Sequence, residues 1–185
     1  MSELIGYKEW EGVCAALAGG RQHLLLRKGG IHEGRAGFSF KHESFVLFPT
    51  RFHAQGDQLQ EKFTVSGGEW EAGDEVPLRC HLEAVWARTL TDWEMVARLA
   101  NDHVWSEDLV RERFAWGEES SIHCALVRVR QASVDWTLSY EKKYGGCRTW
   151  VNLPESPAGW MESLQPVVSD EVFDENRARI ESLLS

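Results

Sequence analysis

No stretch of this 185-residue chain approaches the roughly 18 consecutive apolar residues of a membrane-spanning helix. The opening residues, MSELIGYKEW, carry early acids and no apolar core, so no secretory signal is expected of them. The four cysteines, Cys14, Cys80, Cys124 and Cys147, are scattered and form no C-x-x-C, which argues against a zinc site of the usual paired spacing. Seven histidines are present, yet none forms H-x-H, H-E-x-x-H or H-x₃-H. Neither G-x-x-x-x-G-K-[ST] nor G-x-G-x-x-G occurs, so nucleoside triphosphates and dinucleotides are not expected ligands. These absences describe a cytoplasmic protein with reduced thiols, no membrane partner, no metal site and no identifiable cofactor.

What is present is acidic and aromatic. The net charge of −9 argues against bulk affinity for nucleic acid. Its distribution qualifies that. Within 21–51, six cations (Arg21, Arg27, Lys28, Arg35, Lys41, Arg51) face only Glu33 and Glu43. Within 121–150, Arg128, Arg130, Lys142, Lys143 and Arg148 face Asp135 and Glu141. Two basic segments in an acidic chain make one basic face if the fold joins them. The nine tryptophans are read first as core and sheet-face residues.

The hydrophobic pattern predicts a helix over 3–18, where Trp10, Val13, Cys14 and Leu17 follow i, i+3, i+4, i+7. A strand over 22–28 ends at Gly29-Gly30. FSFKHESFVLF (38–48) reads as a hairpin around a four-residue KHES loop. Residues 52–63 read as a short helix, and 66–75 as a loop. Alternation from Val76 to Trp86 predicts one long strand. Thr91 with Glu94 resembles a capping box for a helix over 92–101, and Ser106 starts another. Residues 121–131 and 134–140 read as a hairpin through Ala132-Ser133, with a third strand over 145–153. Ser169 caps a final amphipathic helix, with Phe173, Ile180, Leu183 and Leu184 on one side. The fold class is therefore α+β, with a mainly antiparallel sheet curled toward a barrel and flanked by helices. Residues 1–153 form one domain, and 154–185 a linker and helix packed on it. The strand order is similar to that of PUA-like modified-base readers, as a fold analogy alone.

Three constellations could carry chemistry. LLLRKGGIHEG (24–34) ends a strand in Arg27, Lys28, Gly29 and Gly30, where glycine turns let backbone N–H groups approach an anion. FPTRFHAQ (48–55) places His53 and Gln55 just past a strand; with His42 and Glu33 these histidines are the candidate acid–base residues. YGGCRTW (144–150) repeats the first device with Gly146, Cys147 and Arg148. Cys147 reads as a small structural cysteine, and Arg148 as an anion contact. Glu141-Lys142-Lys143 fits a nuclease E-x-K, but no acid lies at the usual upstream place.

Together, KEWEGVCAAL (8–17), GRQHLLLRKGGIHEG (20–34), FSFKHESFVLFPTRFHAQ (38–55) and YGGCRTWVNL (144–153) resemble a bacterial family known as domain of unknown function 1802, DUF1802. The resemblance brings no established activity. It implies a role in restriction–modification or defence beside an endonuclease-type partner that would hold the catalytic part. Its shared positions are Arg27, Lys28, Gly29, Gly30, Glu33, His53, Gln55, Gly146, Cys147 and Arg148. Where the family often has His-Gln, this chain has His53-Ala54-Gln55.

Three readings follow. A nucleic-acid-associated module would bind phosphate through Arg27, Lys28 and Arg148, with Trp150 or Trp136 stacking on a base. A hydrolase or nuclease would bring His53, Glu33 and His42 into one pocket. An interaction subunit would expose an apolar stripe along Phe173, Ile180 and Leu184.

Overall fold

A computed structural model describes residues 4–28, 38–51, 55–60 and 68–185. Its sheet has the order β2-β6-β5-β3-β1-β8, with β9 paired to the far part of β6. The strands are β1 (Leu4–Trp10), β2 (Leu24–Arg27), β3 (Ser44–Thr50), β5 (Cys80–Leu90), β6 (Ile122–Ala132), β8 (Trp150–Leu153) and β9 (Leu164–Pro166). A second, two-stranded sheet joins β4 (Glu75–Pro77) to β7 (Thr137–Ser139). The helices are α1 (Glu11–Ala18), α2 (Trp93–Arg98), α3 (Glu107–Ala115) and α4 (Asp170–Leu183). Among the described residues, all ladders are antiparallel except β1 with β3. The architecture is α+β, as the sequence indicates.

The helix expected over 3–18 divides. Its first part is β1, a strand buried from Gly6 to Glu9 between β3 and β8. The helical spacing from Trp10 onward belongs to α1 alone. The hairpin expected over 38–48 does not form. Residues 38–43 are not strand, and β3 pairs with β1 and β5 instead. The alternating aromatics there have another use: Phe38, Phe40 and His42 gather around Trp150 and Tyr7. The long strand expected from Val76 is interrupted at Leu78-Arg79, so that β4 turns to β7 while β5 pairs with β6 and β3. The expected Ala132-Ser133 hairpin is absent too, because β9 takes the last residues of β6. Of the helix expected over 52–63, the described part is a short 3-10 turn, Gly56–Gln58.

The helix starts are closer to expectation. The Ser106 and Ser169 hydroxyls accept from the Leu109 and Val172 amides, satisfying otherwise orphaned donors. At α2 the cap is Asp92 rather than Thr91: its carboxylate accepts from the Glu94 amide at 2.9 Å.

Alternation within the strands builds two apolar layers. One face carries Tyr7, Phe45, Leu47 and Leu82, packed with β2, β6 and the helices. The other carries Val46, Phe48, Val151 and Leu153, covered by the small β4–β7 sheet and Trp160. Phe173, Ile180 and Leu184 of the C-terminal segment are buried in the first layer. Ion pairs of Arg128 with Asp170, and of Arg179 with Asp102, hold α4 there.

The sheet is curled but open. Among the described residues no ladder joins its outer strands, β2 and β8. They meet through side chains: Arg27 Nη2 donates to Thr149 Oγ1 at 2.9 Å, just ahead of β8. Below that contact, Tyr7, Phe45, Trp150 and Phe38 pack ring against ring, and Phe38 also meets His123 of β6.

Candidate functional site

The parallel pairing of β1 and β3 sets Lys8 beside Phe48 and Trp10 beside Thr50. These four residues share one face because side chains alternate along a strand. All four line a cleft of about 420 Å³. Arg27 and Arg148 border it, Gly145, Gly146 and Cys147 form a loop over it, and Arg51, Glu69, Trp70 and Tyr140 complete the wall. The two basic segments thus meet in one place.

Lys8 is the buried cation of the cleft, only 8% exposed. Its ammonium donates to the Gly146 carbonyl at 2.7 Å. Burial lowers its pKa, the nearby Arg27 and Arg148 charges lower it further, and Cys147 acts in the opposite sense. A lysine flanked by two guanidiniums gains from an anion that reaches all three. Gly146 adopts φ +74°, a left-handed conformation suited to glycine, and so turns its carbonyl toward Lys8. Arg148 and Cys147 are exposed, whereas Arg27 is half-buried.

Two tryptophans in the cleft are each backed by a guanidinium. Arg51 lies 3.6 Å from the Trp70 ring centroid, and Arg113 lies 4.7 Å from that of Trp10. The Trp70 indole donates to the Pro49 carbonyl at 2.8 Å, and Arg51 pairs with Glu11 at 2.8 Å. Behind the cleft, Glu9 is 1% exposed and its carboxyl pKa is raised by burial, with Arg27 and Arg113 opposing the rise. Burial also raises the Tyr140 hydroxyl, as does Glu69.

The residues singled out from sequence therefore separate. Arg27, Gly146, Cys147 and Arg148 converge on the cleft. Lys28 turns away, and its ammonium donates to the carbonyls of Glu119 at 2.7 Å, Ser121 at 2.9 Å and Phe114 at 3.3 Å. Gln55 is buried, with its amide donating to the Thr50 carbonyl at 2.8 Å. His42 packs edge-on against Trp150 at 4.7 Å, and its pKa is lowered by burial. Gly29, Gly30, Glu33 and His53 lie outside the described residues. Of the expected stacking residues, Trp136 is buried against Trp160, and Trp150 belongs to the internal aromatic cluster. The tryptophans that line the cleft are instead Trp10 and Trp70.

Lys8, Trp10 and Trp70 escaped the sequence reading. On a helix over 3–18, Lys8 and Trp10 would not share a face; on a strand they do. The alternating YKEW of residues 7–10 was the available signal. Nothing local marks Trp70, which reaches the cleft from a loop. Among the described residues, no group of three or more His, Cys, Asp or Glu could hold a metal ion. No described helix is long and apolar enough to cross a membrane.

The sequence matches the DUF1802 profile, a domain of unknown function, over residues 6–179. No curated protein matches it. The fold is similar to crystal structures of the ASCH protein from Zymomonas mobilis. One, a serine-to-alanine variant, has a TM-score of 0.50 at 9% identity, covering 82% of this chain and 88% of that one. Another, a tyrosine-to-phenylalanine variant, has a TM-score of 0.49 at 10% identity, covering 83% and 92%. At such identity the likeness is one of fold alone.

Proposed function

We propose that this chain, which belongs to the DUF1802 family, is a nucleic-acid-associated binding module whose phosphate contact lies between Arg27 and Arg148. The observation that carries this reading is their convergence, from two separate basic segments, on one cleft floored by a buried lysine. Lys8 and the two arginines supply the cations, and the half-buried rings of Trp10 and Trp70 supply surfaces for a base. The net charge of −9 disfavours loose binding elsewhere, so recognition concentrates at this local field. A setting in restriction–modification or defence, beside an endonuclease-type partner, belongs to the proposal on the family resemblance alone.

The apolar stripe expected of an interaction subunit is used internally, since Phe173, Ile180 and Leu184 are buried. For the hydrolase alternative, His53 and Glu33 lie outside the described residues, and His42 does not line the cleft.

The test is fluorescence anisotropy with short labelled single- and double-stranded DNA and RNA, at low and physiological salt. Binding should weaken with salt. Arg148→Ala should weaken it further and reduce the salt slope by about one. Lys41→Ala, an exposed cation outside the cleft, is the control. Absence of binding at low salt, where electrostatic affinity is greatest, would sink the reading.

A further inference from the structure

The cleft has two chemically different ends. Lys8, tied to the Gly146 carbonyl, shares the cleft with Arg27 and Arg148, whereas Glu69 comes from the segment that carries Trp70; the charges felt by Lys8 and by Tyr140 divide in the same sense. Among the described lining residues Glu69 is the only carboxylate, and it is exposed beside Trp70. A carboxylate repels phosphate, so the Glu69 end is unsuited to a nucleic-acid backbone. It is suited to hydrogen-bond donors on a flat ring. Trp70 is fixed there by Arg51 over its ring and by its indole N–H on the Pro49 carbonyl, and its half-buried ring lines the cleft.

We propose that the cleft takes one unpaired nucleotide of a single strand and prefers guanine, with phosphate at Lys8, Arg27 and Arg148 and the base edge at Glu69. This rests on the nucleic-acid reading and adds the identity of the base. Guanine alone among the common bases presents two adjacent donors, N1–H and the N2 amino group, on its Watson–Crick edge. Two carboxylate oxygens can accept both. Adenine and cytosine offer one amino group beside a ring acceptor. Thymine and uracil flank a single N–H with two carbonyls that a carboxylate repels. In a duplex this edge is occupied by the complementary base, so an unpaired nucleotide is required.

The experiment uses the full chain and four labelled DNA octamers: eight thymidines, and seven thymidines with one central guanosine, cytidine or adenosine. A bidentate base contact worth about tenfold at the single guanine, set against seven thymidine registers, should make the guanosine octamer bind about twofold more tightly than the all-thymidine one. Glu69→Gln should abolish that preference, because a glutamine amide offers one acceptor and one donor where guanine needs two acceptors. Binding to the all-thymidine octamer should persist in this variant. Glu71→Gln, an exposed carboxylate outside the cleft, should leave the preference intact. Equal binding of all four octamers by the unmodified protein overturns the guanine assignment and leaves the nucleic-acid reading standing. A preference that survives in Glu69→Gln also overturns it. Failure of every octamer to bind at low salt removes both.

Discussion

Arg27 and Lys28 are neighbours with opposite tasks. Arg27 ends β2 facing the cleft, while Lys28 ties the residues after α3 to the end of that strand through three carbonyls. Adjacent side chains of an extended chain diverge, so the pair could not both meet one phosphate. Lys28→Met should therefore cost about 1–3 kcal/mol of stability, the range for losing charge-assisted hydrogen bonds, and leave oligonucleotide affinity unchanged. Urea titration and anisotropy on the same preparation check both halves. Arg148→Ala should do the reverse. From sequence the Arg-Lys-Gly-Gly and Gly-Gly-Cys-Arg devices were expected to be anion-facing turns; Gly29 and Gly30 lie outside the described residues, and which of Arg27 and Lys28 borders the cleft was not legible. That choice is made by long-range packing, as with the carbonyls 86 to 93 residues away that claim Lys28.

At the scale of elements, local chemistry and long-range pairing contributed differently. The starts of α3 and α4 were readable, because a serine hydroxyl accepting from an amide three residues on is a local event. Strand pairing was not. The aromatic run from Phe38 fits a hairpin locally, and only the ring cluster around Trp150 reveals its other use. The amphipathic pattern of α4 identified its buried face without naming what it covers. Phe173 is 2% exposed, sits edge-on to His23 and lies under the Arg128 guanidinium. Phe173→Ala should cost about 3–5 kcal/mol, the scale for emptying a buried aromatic site, measured as a lower denaturation midpoint. Because α4 does not line the cleft, the folded fraction should still bind.

For the whole molecule, buried histidines set the response to acid. His103 is 5% exposed, and burial pushes its pKa down to about 4, with the Asp102 charge opposing. His23 and His81 are buried and shifted in the same direction. Each takes up a proton less readily in the native protein than in the unfolded chain, where it titrates near pH 6.5. Below that pH the unfolded state binds more protons, so stability falls as pH falls. For His103 the window runs from pH 6.5 to about 4, at no more than about 1.4 kcal/mol per pH unit. Glu9 acts in the other sense: its raised pKa makes its contribution less unfavourable as pH falls. Four histidines with lowered pKa values, His42 included, oppose the one raised carboxyl, so the melting temperature should decline from pH 6.5 toward 4. His103→Gln should flatten that decline, as thermal melts across the range would record.

The meeting of β2 and β8 through Arg27 and Thr149 gives this sheet a seam. A seam made by side chains parts more readily than a ladder, so nearby amides are expected to exchange by local opening rather than by unfolding of the centre. The same guanidinium borders the cleft. An anion that draws Arg27 inward competes with Thr149 for it, and an anion bridging Arg27 to Arg148 stitches the two borders together. Under the proposed function, occupancy of the cleft would thereby reach the rim of the sheet, where an occupied molecule could be told from an empty one.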